Sequence, residues 1–84
     1  MNMDKQTKEL AAKLLKITLE EAVQFSHYIQ DIDAYYFSVP VKGGSSIIIK
    51  NSEVLYANSS VSYDDHVRAF INGVRTPLEA FNAE

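Results

Sequence analysis

The chain has 84 residues, of which 46% are hydrophobic and 23% charged, and its formal net charge at pH 7 is −3. This length predicts a single domain over residues 1–84, and the apolar fraction is typical of a globular chain. The absence of cysteine excludes disulfides, thiolate catalysis and cysteine-ligated metal centres.

The sequence offers no candidate for a membrane-spanning or export segment. The longest purely aliphatic run, Ile47–Ile49, is far shorter than a membrane-spanning helix requires. Residues 1–8 are polar and lead into no apolar signal core. We therefore expect a soluble, cytoplasmic domain with no membrane partner.

The N-terminal third carries a helical pattern of apolar residues. They recur at spacings of three and four over residues 5–16, which predicts a first helix there. Thr18 followed by Glu21 matches a capping box, so a second helix is predicted over 19–30. A single bent helix over 4–30 fits the same pattern.

The middle of the chain predicts a three-stranded antiparallel meander. β-branched and aromatic residues fill three segments that short turn signals separate. The predicted strands cover residues 34–41, 45–50 and 53–58. Two-residue turns are predicted at Gly43-Gly44 and at Asn51-Ser52.

These two turns determine the predicted strand registers. The second turn pairs Lys50 with Glu53, Ile49 with Val54, Ile48 with Leu55 and Ile47 with Tyr56. The first turn pairs Val41 with Ser46 and Val39 with Ile48. One face of the sheet would then hold Phe37, Val39, Val41, Ile48, Leu55 and Ala57, and the other Tyr36, Ile47, Ile49, Val54 and Tyr56. Since both faces are apolar, we expect the second face to be covered by the C-terminal helices or by another copy of the chain.

Two short capped helices are predicted at the C-terminal end, over 63–72 and 77–82. Ser62 is the expected N-cap of the first, and Gly73 ends it. Thr76 is the expected N-cap of the second, with a proline directly after it. The complete order ααβββαα predicts an α+β domain.

Six residues are candidates for binding a small ligand or an anion: Tyr36, Lys42, Gly43, Gly44, His66 and Arg75. The backbone N–H groups of the glycine turn, with Lys42 beside them, suit an anion. The turn joins two strands and lacks the P-loop pattern, so an ordinary hairpin is the stronger interpretation.

The other candidates also have a structural alternative. His66 follows two aspartates and has the chemistry for acid–base work or metal binding, yet it also fits as a polar residue at a helix start. Tyr36 suits a pocket or an interface, and equally core packing. Arg75 precedes a helix start and suits a carboxylate or phosphate. A brace from Arg75 to Asp64, Asp65 or Glu79 is the stronger interpretation.

Catalytic, metal and nucleic-acid signatures are weak or missing. No nucleophile–base or metal-ligand spacing is present, so we expect no catalytic residue, metal or cofactor. Residues 9–23 have the rhythm of a helix-turn-helix. Glu20 and Glu21, however, stand where a recognition helix would meet phosphates, so nucleic-acid binding is disfavoured.

Three functional hypotheses follow. The first is a small non-catalytic interaction or regulatory protein that acts as a homo-oligomer, with a homodimer expected, because a small chain gains from a shared core. The second is a small-ligand- or anion-binding protein, or an enzyme, that uses Lys42, His66 and Arg75. The third is a helix-turn-helix-like DNA-binding adaptor.

Overall fold

The computed structural model describes residues 4–39, 44–58, 60–77 and 79. Its elements are α1 (Lys5–Leu15), α2 (Leu19–Gln24), β1 (Ser26–Ile29), a 3-10 turn (Gln30–Ile32), β2 (Ala34–Ser38), β3 (Ser46–Lys50), β4 (Glu53–Ala57) and α3 (Tyr63–Ile71). The strands form one antiparallel sheet in the order β1-β2-β3-β4. The predicted α+β class is confirmed, and the predicted three strands are corrected to four.

Two helices begin at the caps that the sequence predicts. The Thr18 hydroxyl accepts a hydrogen bond from the Glu21 backbone N–H at 3.0 Å, and the Thr18 N–H donates to the Glu21 carboxylate at 3.0 Å. This closed capping box begins α2 afresh after the left-handed Lys16 that ends α1, so two helices are present and not one bent helix. At α3, the Ser62 hydroxyl accepts from the Asp65 N–H at 3.2 Å.

The helix predicted over 19–30 is wrong beyond Gln24, because the following residues form β1. β1 pairs with β2, and this pairing brings the rings of Tyr28 and Tyr35 to 5.1 Å and buries Ile29. The ladder hydrogen bonds and ring contacts of this hairpin outweigh the weak local preference for a longer helix.

The β3–β4 hairpin has the predicted turn and the predicted register. Lys50 lies opposite Glu53, and the three further pairs follow as expected. Asn51 and Ser52 have φ values of 51° and 70°. Two successive positive φ angles are the geometry that matches a two-residue turn to the twist of the strands.

The β2–β3 hairpin differs from the prediction. The observed pairs are Tyr36 with Ile48 and Ser38 with Ser46, in place of Val39 with Ile48 and Val41 with Ser46. The Val39 N–H donates to the Ser45 carbonyl at 3.1 Å, so the connection is longer than a two-residue turn at Gly43-Gly44. The three-residue shift is odd and therefore moves the side chains of β2 to the opposite face from the one predicted. Residues 40–43, at the end of the predicted strand 34–41, lie outside the described residues.

Both faces of the sheet are buried by helices of the same chain. α1 and α2 cover the face that holds Phe37, Ile47, Ile49 and Val54. α3 covers the face that holds Ala34, Ile48 and Leu55, with Phe70 packed among them. The predicted second face, with Ile47, Ile49 and Val54, is therefore covered by the N-terminal helices, and the C-terminal helix α3 covers the opposite face.

α3 ends at Gly73, as predicted, with φ of 90°. The Gly73 N–H donates to the Phe70 carbonyl and the Val74 N–H to the Ala69 carbonyl, both at 3.1 Å. This paired termination reverses the chain and directs the residues after it toward β4. The helix predicted over 77–82 lies almost wholly outside the described residues.

Replacing Thr18 with Ala should lower the free energy of unfolding by about 0.5–2 kcal/mol, because the Glu21 N–H loses its partner. Thr18→Ser keeps the hydroxyl and should remain close to wild type. Urea unfolding followed by circular dichroism measures both variants. Equal stability of the two variants would contradict the capping role.

Candidate functional site

The glycine turn, which is a candidate for anion binding, falls mostly outside the described part of the chain. Lys42 and Gly43 are not described, and Gly44 lies half-buried just before β3. The anion site at this turn therefore stays a prediction.

His66 lies in the interior, 1% exposed, where α3 crosses β3 and β4. Its Nε2 is 2.8 Å from the Leu55 carbonyl oxygen, and its Nδ1 is 3.4 Å from the Ser46 hydroxyl. A carbonyl only accepts, so Nε2 carries the proton and Nδ1 is left to accept from Ser46. Burial lowers the pKa of the His66 imidazole and favours this neutral form.

The Ser46–His66 pair has the residue types of a nucleophile and its general base. Both side chains are buried, however, at 6% and 1% exposure. The second ring nitrogen of His66 is held by the Leu55 carbonyl, where an activated pair would have an orienting carboxylate. In this arrangement the two residues join α3 to the sheet, with no access for a substrate.

A row of four aromatic rings connects His66 to the surface on the α3 side of the sheet. Tyr36 lies edge-on to His66 with a centroid separation of 5.7 Å and edge-on to Tyr63 at 4.8 Å. Tyr63 in turn lies edge-on to His27 at 5.9 Å. Tyr36 is half-buried within this row, so its ring serves packing, whereas His27 and Tyr63 remain exposed.

Arg75 braces the reversal after α3. Its Nε donates to the Glu53 carboxylate at 2.8 Å, and its Nη1 donates to the carbonyls of Phe70 and Val74, each at 2.8 Å. The guanidinium also lies 3.6 Å from the centroid of the Phe70 ring. A brace was the stronger sequence interpretation. Its carboxylate partner is Glu53 on β4, not one of the three acidic residues expected.

The outer edge of β4 is closed by the segment that follows Gly73. The Thr76 N–H donates to the Val54 carbonyl at 2.7 Å, and the Thr76 hydroxyl accepts from the Tyr56 N–H at 2.9 Å. The sequence pattern identified Thr76 only as a helix cap. Here both its backbone and its side chain satisfy outward-facing groups of an edge strand.

The outer edge of β1 is open with respect to the described residues, since no strand or segment among them pairs with it. The Ser38 N–H donates to the Phe25 carbonyl, and backbone directions alternate along an antiparallel strand. His27 therefore faces β2, and the N–H and C=O groups of Ser26 and Tyr28 face away from the sheet. No hydrogen bond to these four outward groups is present within the described ranges. This edge was missed at the sequence level because residues 26–29 were assigned to a helix.

The surroundings of the open edge are apolar. Residues 26–29 include neither proline nor a formally charged side chain. Val23, whose carbonyl accepts from the Ser26 hydroxyl at 2.7 Å, is 48% exposed, and Leu19 on the same helix is 46% exposed. On the opposite face of the sheet, Tyr63 lies beside His27.

Two shallow clefts accompany these features. The larger, of about 310 Å³, is an apolar groove between α1 and α2 lined by Lys8, Leu19, Glu20 and Val23. The smaller, of about 220 Å³, is lined by Asp4, Thr7, Asp33, Tyr35, Ile49, Lys50 and Asn51. The first extends the apolar surface next to the open edge, since it includes Val23.

No protein-family model, curated protein or solved structure matches this chain. Among the described residues, no three His, Asp or Glu side chains gather in a group suited to a metal ion. No helix in the described ranges is long and apolar enough to cross a bilayer. The open edge of β1 is therefore the feature of this molecule that points most directly to a function.

Stability should fall as the pH drops below about 6.5, the ordinary pKa of histidine, because the folded state holds a proton on His66 less tightly than the unfolded chain. His66→Gln keeps an N–H donor for the Leu55 carbonyl and should reduce this dependence. Urea midpoints of dilute protein between about pH 7.5 and 5 measure it. His27→Gln is the control and should retain the wild-type slope; a wild-type slope in His66→Gln would contradict the assignment.

Proposed function

We propose that the protein is a non-catalytic interaction domain that acts as a homodimer, and that two copies pair along the outer edge of β1. The observation that carries this proposal is the difference between the two sheet edges. Thr76 closes the edge of β4, whereas Ser26 and Tyr28 direct four unpartnered backbone groups outward in the described part of the chain. An open edge of this kind is a template for strand addition.

A second copy is the partner that suits this edge. Edge strands that stay unpaired are commonly guarded by lysine, proline or a bulge, and residues 26–29 include no lysine or proline. Pairing about a two-fold axis lets the outward N–H groups of each copy donate to the outward C=O groups of the other. Such pairing also brings the small Ser26 beside the large Tyr28 of the second copy, which favours close contact.

Strand pairing alone provides little affinity. Roughly four hydrogen bonds, at about 0.5–1.5 kcal/mol each, do not offset an association cost of about 4–15 kcal/mol. The rest of the free energy of association is expected from burial of exposed side chains near the strand. These side chains are Leu19, Val23 and Tyr63. We therefore expect a weak dimer, with a Kd on the order of micromolar.

An uncovered sheet face does not support a homo-oligomer, because α1 and α2 cover the predicted second face and α3 covers the other one. The support comes instead from the open edge of β1. The ligand-binding hypothesis gains no support from His66 and Arg75, which are occupied by internal hydrogen bonds. The DNA-adaptor hypothesis gains none either, since α2 has six residues and carries Glu20 and Glu21 in its first turn. The proposal that the protein is located in the cytoplasm is supported only by the composition of the chain.

Light scattering coupled to gel filtration tests the proposal across a dilution series from high to low micromolar concentration. The expected mass moves from two chains toward one as the protein is diluted, since a weak dimer dissociates by mass action. A mass of one chain at every concentration would overturn the proposal.

Tyr28→Pro should shift the protein to monomer, because proline removes an outward N–H and places its ring at the pairing edge. This N–H faces away from β2, so the substitution removes no hydrogen bond of the β1–β2 ladder. Tyr28→Phe keeps the backbone and should still dimerise. Ser26→Lys places a charge at the same edge without a backbone change and should also weaken dimerisation. It takes the place of Tyr28→Pro as the test if circular dichroism shows that the proline variant does not fold. A dimer of wild-type affinity in Ser26→Lys and in folded Tyr28→Pro would contradict pairing at this edge.

A further inference from the structure

His27 occupies the midpoint of the open edge. Ser26 and Tyr28, on either side of it, supply the outward backbone groups, while its own N–H and C=O face β2. The side chain of His27 is exposed on the α3 side of the sheet. Any two-fold pairing of this short strand is therefore centred on or next to a histidine.

We propose that the dimer pairs in the register that places His27 opposite His27 of the second copy, and that protonation of these two facing imidazoles releases the dimer in acid. This inference rests on the proposed homodimer. It adds the register of the interface and the condition that controls it.

The register follows from the backbone groups. In an antiparallel pair, hydrogen-bonded residues must both face the partner strand, so Ser26 and Tyr28 can pair only with each other or with themselves. If Ser26 pairs with Ser26 of the second copy, or Tyr28 with Tyr28, only one outward residue of each strand has a partner. The other outward residue then lies beyond the end of the second copy's four-residue strand. Pairing Ser26 with Tyr28 of the second copy uses both outward residues of both chains. The residue between them, His27, then lies on the two-fold axis.

The two-fold axis places the His27 imidazoles of the two copies opposite each other, so that protonation of both gives a pair of like charges. Residues opposite each other at a non-hydrogen-bonded position have Cα atoms about 4.5 Å apart and side chains on the same face of the sheet. Like charges directly opposite each other destabilise a strand pair. Histidine is the side chain that ordinarily gains its charge between about pH 8 and 5, so the repulsion arises within that range.

Two tyrosine rings face His27 among the described residues. Tyr36 faces it from β2 and Tyr63 from α3. Burial raises the pKa of Tyr63, and the nearby carboxylates of Asp31 and Asp64 raise it further. The raised pKa keeps the Tyr63 hydroxyl neutral between about pH 8 and 5.

A His27→Cys variant tests the register directly, because the chain has no cysteine of its own. A Cα separation of about 4.5 Å lies within the range that a disulfide requires, about 4.4–6.8 Å. Under mild oxidation at neutral pH, we expect rapid formation of a covalent dimer. Asn72→Cys, at the exposed end of α3, is the matched control and should cross-link far more slowly. Equal cross-linking rates in the two variants would overturn the register.

Sedimentation equilibrium at about pH 7.5 and pH 5.5, at constant ionic strength, tests the release. We expect the dimer Kd of the wild type to rise at least about tenfold at the lower pH. A tenfold rise is the effect over one pH unit when the dimer excludes one proton that the separate chains bind. His27→Gln should dimerise equally at both pH values, and His27→Lys should be largely monomeric at both. Circular dichroism at each pH confirms that the fold is retained.

The results of these experiments distinguish failure of the His27 inference from failure of the proposed homodimer. A wild-type dimer with the same Kd at both pH values, or acid release that persists in His27→Gln, would overturn the inference and leave the homodimer standing. Loss of the dimer in His27→Gln at about pH 7.5 would also overturn it, because the imidazole would then be a required contact. A wild type that is monomeric at both pH values at high micromolar concentration would overturn the proposed function as well.

Discussion

The architecture depends on β3 being apolar on both of its faces. Ile47, Ile48 and Ile49 are at most 1% exposed, although consecutive residues of a strand point to opposite sides. An uncovered face would leave a large apolar area in water, so the sheet requires a helical layer on each side. α1 and α2 form one layer and α3 the other, which gives a three-layer arrangement from an 84-residue chain.

The polar residues that resemble a site at the sequence level mainly hold the second layer in place. Among the described residues, three join the region of α3 to β4 by polar contacts: His66 to the Leu55 carbonyl, Arg75 to the Glu53 carboxylate, and Thr76 to both the Val54 carbonyl and the Tyr56 N–H. A single short helix on a sheet buries limited area, so such contacts fix its position where packing alone leaves it free to slide. Their chemistry is therefore directed inward, and the partner that we propose lies at the far edge of the sheet.

The two edges differ because of where the chain enters and leaves the sheet. β4 is followed by α3 and by the reversal at Gly73, which returns the chain to the edge that it has just left. β1 is entered directly from α2, which lies on one face of the sheet, and the chain after β1 continues into β2 on its inner side. This connectivity, rather than any special motif, leaves Ser26 and Tyr28 with outward-facing backbone groups and His27 between them.

Local sequence was sufficient for the Thr18 capping box, the Ser62 cap and the Asn51-Ser52 hairpin, because each depends on contacts between residues that are close along the chain. It was also sufficient to show that both sheet faces are apolar. Only the tertiary structure decided that residues 26–29 are a strand, that Tyr36 lies opposite Ile48, and that Thr76 closes an edge. Each of these depends on hydrogen bonds or packing between separate segments, whose combined free energy outweighs the small local preferences that a sequence pattern reports.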